Sequence, residues 1–187
     1  MTTTVIDPAP RPSDLDGARL GVLDTGVPGS ASFLDALVAR LQMRHFLAAT
    51  TRLTRSGPSS VAPADQLQEL AESCDVVVIG VTQGPDSAAA TAADVARLEQ
   101  MVVPCAVVAT TETAAAVRQA LVAEGYRDGQ SVIELSSTPR SDPANLDELV
   151  EQTFRQVERA LTASRTDQQD PEETGVTPRN GEVTCEC

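Results

Sequence analysis

Between Cys74 and Leu98 the chain reads CDVVVIGVTQGPDSAAATAADVARL, a stretch that leaves few folds open. Asp75 is followed by Val76, Val77, Val78 and Ile79, an apolar β-branched run without alternation. Such a run predicts a strand buried on both faces, as in a parallel sheet covered by helices on each side. Gly80 and a polar loop from Thr82 to Ser87, with Gly84-Pro85 as its turn, then lead into an Ala-rich helix whose expected N-cap is Asp86 or Ser87. Ligands of open parallel sheets bind at the carboxyl ends of the strands. Gln83, Gly84, Asp86 and Ser87 are therefore the first candidate site residues, although the loop holds no strong nucleophile, base or metal ligand.

The flanking sequence repeats the same rhythm. Arg19–Asp24 predicts a first strand, and Thr25-Gly-Val-Pro-Gly a turn before a helix capped by Ser30 or Ser32, with Phe33, Leu34, Leu37, Val38 and Leu41 at helical spacing. A Gly-containing first loop can offer backbone N–H groups to an anion, so Thr25, Gly26, Ser30 and Thr82 are candidate ligand-binding residues. The spacing matches neither G-x-G-x-x-G nor a Walker A loop. A second strand is expected over His45–Thr51, with His45, the sole histidine, at its start and away from the candidate edge. Further elements are a helix over Pro63–Ser73, a strand over Val102–Ala109, a helix over Thr111–Gly125, a strand over Ser131–Leu135 and a last amphipathic helix over Leu146–Leu161. The alternation predicts an α/β, flavodoxin- or Rossmann-like three-layer sandwich with a mostly parallel sheet of four or five strands.

Residues 1–16, with Pro8, Pro10 and Pro12, read as an extended N-terminal arm, 17–162 as the domain, and 163–187 as a disordered acidic tail ending in Cys-Glu-Cys. The net charge of −13 disfavours nucleic acid and anionic lipid as partners. With no Trp, one Tyr and three Phe, a base-stacking platform is not expected, and Ala and Val must fill the core. No apolar run approaches the ~20 residues of a membrane span. The first residues also lack signal-peptide character, so a cytoplasmic location is expected. Cys74 and Cys105 stand in or beside apolar strands and should be buried; four cysteines at such spacings do not form a disulfide framework.

Cys185 and Cys187 are different, two thiols on a polar segment. They could serve as ligands for a soft metal ion such as Zn or Cu, completed by a partner or a second copy. They could also form a redox pair, be modified by a partner enzyme, or be incidental. Glu182 and Glu186 beside them disfavour thiolate, which argues against fast autonomous catalysis. The segment from Thr162 to Thr184 would give them a reach on the order of 25–30 Å as a random chain.

Three stretches together resemble the UGSC family, small bacterial α/β proteins named for a Sec/Cys-Gly-Ser-Cys motif: DPAPRPSDLDGARLGVLDTGVPGSASFLDAL, SCDVVVIGV and DVARLEQMVVPCAVVAT. The resemblance covers about residues 7–160 and implies thiol or selenol redox chemistry in the loop after the central strand. In this chain Gly84 aligns with the first redox residue and Ser87 with the second, and Val27 and Gly29 replace an expected Lys and Asn. The resemblance thus implies a degenerate member, to which the family's redox activity does not transfer residue by residue. The resulting expectation is a non-catalytic accessory or carrier protein whose Cys-Glu-Cys tail is presented to a partner or modifying protein, with homo- or hetero-oligomers open. The alternative is a small-molecule binder or enzyme using the polar loops at the carboxyl edge.

Overall fold

In a computed structural model, residues 5–126, 131–140 and 142–163 are described. Five parallel strands form one sheet in the order β2-β1-β3-β4-β5: β1 (Arg19–Asp24), β2 (Ala49–Thr54), β3 (Val76–Thr82), β4 (Cys105–Thr110) and β5 (Val132–Leu135). The helices α1 (Ser30–Arg44), α2 (Ala64–Ser73), α3 (Pro85–Gln100), α4 (Thr111–Ala123) and α5 (Pro143–Leu161) alternate with them. This is the α/β three-layer sandwich expected of the strand–helix rhythm.

All seven residues of β3 and all six of β4 are buried. Side chains alternate between two cores because successive strand residues point to opposite faces. Leu23, Val77, Ile79, Cys105 and Val107 join the core under α2, α3 and α4, while Leu20, Val22, Val76, Val78, Ala106 and Val108 join the one under α1 and α5. Alanines at 88, 92 and 96 are buried on α3 against that first core, where small side chains permit close packing. Gly21 answers a similar need, since a Cβ there would lie 2.8 Å from Val77 Cγ2 and 3.0 Å from Cys74 Sγ.

Several element boundaries differ from expectation. β2 spans Ala49–Thr54 rather than His45–Thr51, because α1 continues to Arg44 and His45 is its C-cap, with Nε2 3.0 Å from Glu158 Oε1 on α5. The caps of α1 and α3 are Gly29 and Gly84, not Ser30 or Ser32 and not Asp86 or Ser87. Both glycines have positive φ, and Ser30 and Ser87 are drawn into the interior. β4 starts at Cys105, since Val102 takes φ 64° in the turn after α3. α5 begins at Pro143, with Asp142 capping it by accepting from Asn145 N–H.

The N-terminal segment lies along the domain rather than apart from it. Ile6, Ala9 and Leu15 are buried, Ile6 N–H bonds Gly125 O and forms a bridge to Tyr126, and Ala163 N–H bonds Pro12 O. At the centre of this contact is Glu99, whose side chain is wholly buried. Its Oε2 accepts from Ala9 N–H at 2.6 Å, and its Oε1 accepts from Cys105 N–H at 3.0 Å and Tyr126 O–H at 2.9 Å. Arg11 stands 3.7 Å from the same carboxylate. One acid thus joins the arm, α3, β4 and the turn after α4.

Burial raises the Glu99 carboxyl above its ordinary value, against the lowering effect of these donors. A raised folded-state pKa contributes stability that is present below the unfolded value and lost as pH rises through the folded value. Glu99→Gln keeps one acceptor but turns an amide N–H₂ toward another donor, so it should cost about 1–3 kcal/mol in urea unfolding. The deficit relative to the parent protein should be larger at about pH 5 than at about pH 8; an equal deficit at both would show that Glu99 does not titrate in this way.

Candidate functional site

The loops after β1, β2, β3 and β4 open at one edge of the sheet, where the four candidates Thr25, Gly26, Ser30 and Thr82 are gathered with Gln83 to Ser87. Two of the hydroxyls there are committed to the backbone. Ser30 Oγ donates to Gly80 O and accepts from Val81 N–H, each at 2.7 Å, and Thr25 Oγ1 donates to Val81 O at 2.6 Å. These bonds hold β3 where its register with β4 shifts between Ile79 and Thr82, at the cis peptide Gly80–Val81. Thr25, Ser30 and Thr82 are fully buried, so they act as internal braces in this conformation. Gly26 is exposed, its N–H bonded to Asp24 Oδ1 at 3.0 Å.

Gly84 has φ 85° and ψ 158°, a region that is essentially restricted to glycine. Its N–H donates to Thr113 Oγ1 at 3.0 Å, which seats the start of α3 on the first turn of α4. Gln83 and Asp86 are exposed, with Gln83 Nε2 3.4 Å from Thr138 Oγ1. Ser87 is buried, and its Oγ has no hydrogen-bond partner. Gly29 closes the front loop with φ 84°; a Cβ there would stand 2.2 Å from Pro139 O, so this position admits no side chain.

Beneath the loops lies a polar cluster that sequence reasoning did not find. Thr91 and Asp94 sit one and two turns below Ser87 on the same face of α3. Arg55, just past β2, donates from Nη2 to Thr91 Oγ1 at 3.1 Å and lies 2.7 Å from Asp94 Oδ2, with both charged side chains fully buried. Thr82 Oγ1 is 3.1 Å from Thr91 Oγ1, and Asp94 Oδ1 accepts from Ala62 N–H at 3.0 Å. Arg55 Nε, like Ser87 Oγ, finds no partner. Burial raises Asp94 and lowers Arg55, and each partner opposes the other's shift. The available signal was an Asp three residues after a Thr in the otherwise apolar stretch Ala88–Ala96 of a helix, with Arg55 just past a preceding strand.

The domain's thiols lie elsewhere. Cys74 precedes β3 and Cys105 begins β4, so both stand at the amino end of the sheet, and both are buried and free. Burial and the nearby Glu99 raise Cys105 well above the ordinary thiol range. Among the described residues no group of three or more His, Cys, Asp or Glu side chains is gathered to hold a metal, and no helix is long and apolar enough to cross a membrane. Cys185 and Cys187, the candidate thiol, modification and metal residues, lie outside the described residues.

A parallel 2-1-3-4-5 sheet with polar loops at its carboxyl edge defines a flavodoxin-like α/β protein. The chain belongs to the UGSC family, whose family model matches residues 1–163, from the N-terminal segment through the end of α5. The match thus includes the arm and stops before Cys185 and Cys187. No curated protein matches the chain.

Removing one member of the buried ion pair should be far more damaging than removing both. Asp94→Asn leaves Arg55 as an uncompensated buried charge and should cost about 3–5 kcal/mol in urea unfolding. The double variant Arg55→Met/Asp94→Leu should recover a large part of that loss, and equal losses in the single and double variants would refute the assignment.

Proposed function

We propose that this chain is a non-catalytic member of the UGSC family, an accessory or carrier protein whose Cys-Glu-Cys segment at 185–187 is what a partner acts on. The observation that carries this reading is the placement of sulfur. Cys74 and Cys105 are buried at the amino end of the sheet, opposite the loops that form the candidate site. A thiol needs access and thiolate character to react, so reactive sulfur in this chain falls to Cys185 and Cys187. The domain serves as the handle that a modifying or sulfur-handling partner recognises, and Zn or Cu held jointly with that partner is the metal-binding form of the same role.

The resemblance-based alignment supports the reading from a second direction. It sets Gly84 where a redox Cys or Sec would stand, and the backbone there is in a conformation restricted to glycine. A loop shaped around that glycine is not a redox loop with one atom missing. Gly84→Cys should therefore cost about 1–3 kcal/mol of strain, although nothing would touch its Cβ. An unchanged urea midpoint for this variant would show that the loop still accommodates the family residue.

Brief alkylation of the native full chain, followed by peptide mass spectrometry, tests the division of sulfur. Labels are expected on Cys185 and Cys187, with Cys74 and Cys105 labelled only after unfolding. Rapid native labelling of Cys105 would overturn the proposal. A chain truncated after Ala163 should lose biological function while its domain stays folded; retained function would transfer the working role to the carboxyl-edge loops.

A further inference from the structure

β2 is an open edge of the sheet, and its six residues are all exposed or half-exposed, unlike those of β3 and β4. Natural edge strands are usually guarded by Pro, Lys, inward charges or bulges. ATTRLT contains neither Pro nor Lys, and its pairing with β1 runs without a register shift. Arg55 N–H bonds Asp24 O just past the strand. By alternation along the ladder, this turns the backbone groups of Thr50, Arg52 and Thr54 toward the open side. Beside the strand, Val22, Asp35, Val38, Ala39, Gln42, Thr50 and Arg52 line a groove of about 160 Å³, with Asp35 paired to Arg52. Met43 in the last turn of α1 and Phe46 in the connection to β2 are 79% and 78% exposed.

We propose that this edge pairs with the same edge of a second copy, forming a two-fold dimer with β2 antiparallel to its symmetry mate. The charge distribution selects a second copy as occupant. In a chain of net charge −13, residues 36–64 contain no Asp or Glu, whereas Arg40, Arg44, Arg52 and Arg55 all fall within them. Arg55 is buried with Asp94, and the three exposed arginines are already neutralised within their own chain, by Glu151, Glu158 and Asp35 respectively. This edge is thus a place where two acidic copies can meet without opposing like charges, and without a requirement for a charged partner.

Symmetry and charge also set the register. A two-fold axis normal to the sheet keeps the helix layers of both copies on the same sides, so paired residues must have the same parity. Centring on Arg52 would place two guanidinium groups opposite each other. Centring on Thr51 instead pairs Thr50 with the other copy's Arg52 through their outward backbone groups, and pairs Leu53 with Ala49 on the α2 side.

Sedimentation equilibrium of the full chain at micromolar concentration should find a dimer. Thr51→Lys, which sets two ammonium groups face to face at the axis, should weaken association roughly tenfold or more without moving the urea midpoint measured at concentrations low enough for both proteins to be monomeric. Thr51→Cys, mildly oxidised, should yield the peptide spanning residue 51 disulfide-linked to its own copy, a readout independent of the lysine variant's folding. A wild-type monomer at high micromolar concentration, a dimer unaffected by Thr51→Lys, or a failure to recover the 51–51 linkage would each overturn the proposal.

Discussion

The rest of the structure depends on the burial of β3. Seven consecutive residues with no exposed face require a helix layer on each side and a paired strand at each edge. Each fully buried Val or Ile contributes roughly 1.5–3 kcal/mol through removal of apolar surface from water. The run from Val76 to Ile79 does not, however, specify its own register, because a one-residue slip would still present branched aliphatic side chains to both cores. Register comes from the neighbours. Gly21 makes room for Val77 and Cys74, and Ser30 and Thr25 fix the far end of the strand through Gly80 and Val81.

The same constraint shapes the carboxyl edge. Once β3 is covered on both sides, polar groups at its end must satisfy one another, and the hydroxyls of Thr25, Ser30, Thr82 and Thr91 do so in the interior. Arg55 and Asp94 extend this network into the α2–α3 side of the domain, where each charge is tolerable through the other. Facing outward are backbone at Gly26 and the side chains of Gln83, Asp86, Thr111, Glu112 and Arg140. Among the described residues this edge presents neither a thiol nor an imidazole. His45 is held between Asp16 and Glu158 at the opposite end of β2.

Fold class was legible because it rests on long patterns. The β-branched run, the Ala-rich helix and the Leu149, Phe154, Val157 and Leu161 stripe of α5 required no knowledge of partners. Boundaries decided by single tertiary contacts were not. His45 looks like the start of a strand until Glu158, over a hundred residues away, takes its ring. Ser30 and Ser87 look like N-caps by composition, but positive-φ glycines one and three residues earlier begin the helices and carry the serines inward. Glu99 and Asp94 read as ordinary polar positions on helices. Their burial depends on donors from residues 9, 62, 105 and 126, which local periodicity cannot bring together.

Glu99 also adds to what makes Cys105 unsuited to chemistry. Its carboxylate accepts from the Cys105 backbone N–H and raises the thiol through its charge, adding to the larger effect of burial. Making Cys105 reactive would require both access and relief from that negative neighbour. Yet Glu99 cannot simply be dispensed with, because the arm, Tyr126 and the start of β4 all bond to it. The contact that fastens the N-terminal segment therefore also keeps Cys105 a protonated, apolar filler. At this end of the sheet the acid that fastens the N-terminal segment also adds to the burial that keeps the Cys105 thiol inert.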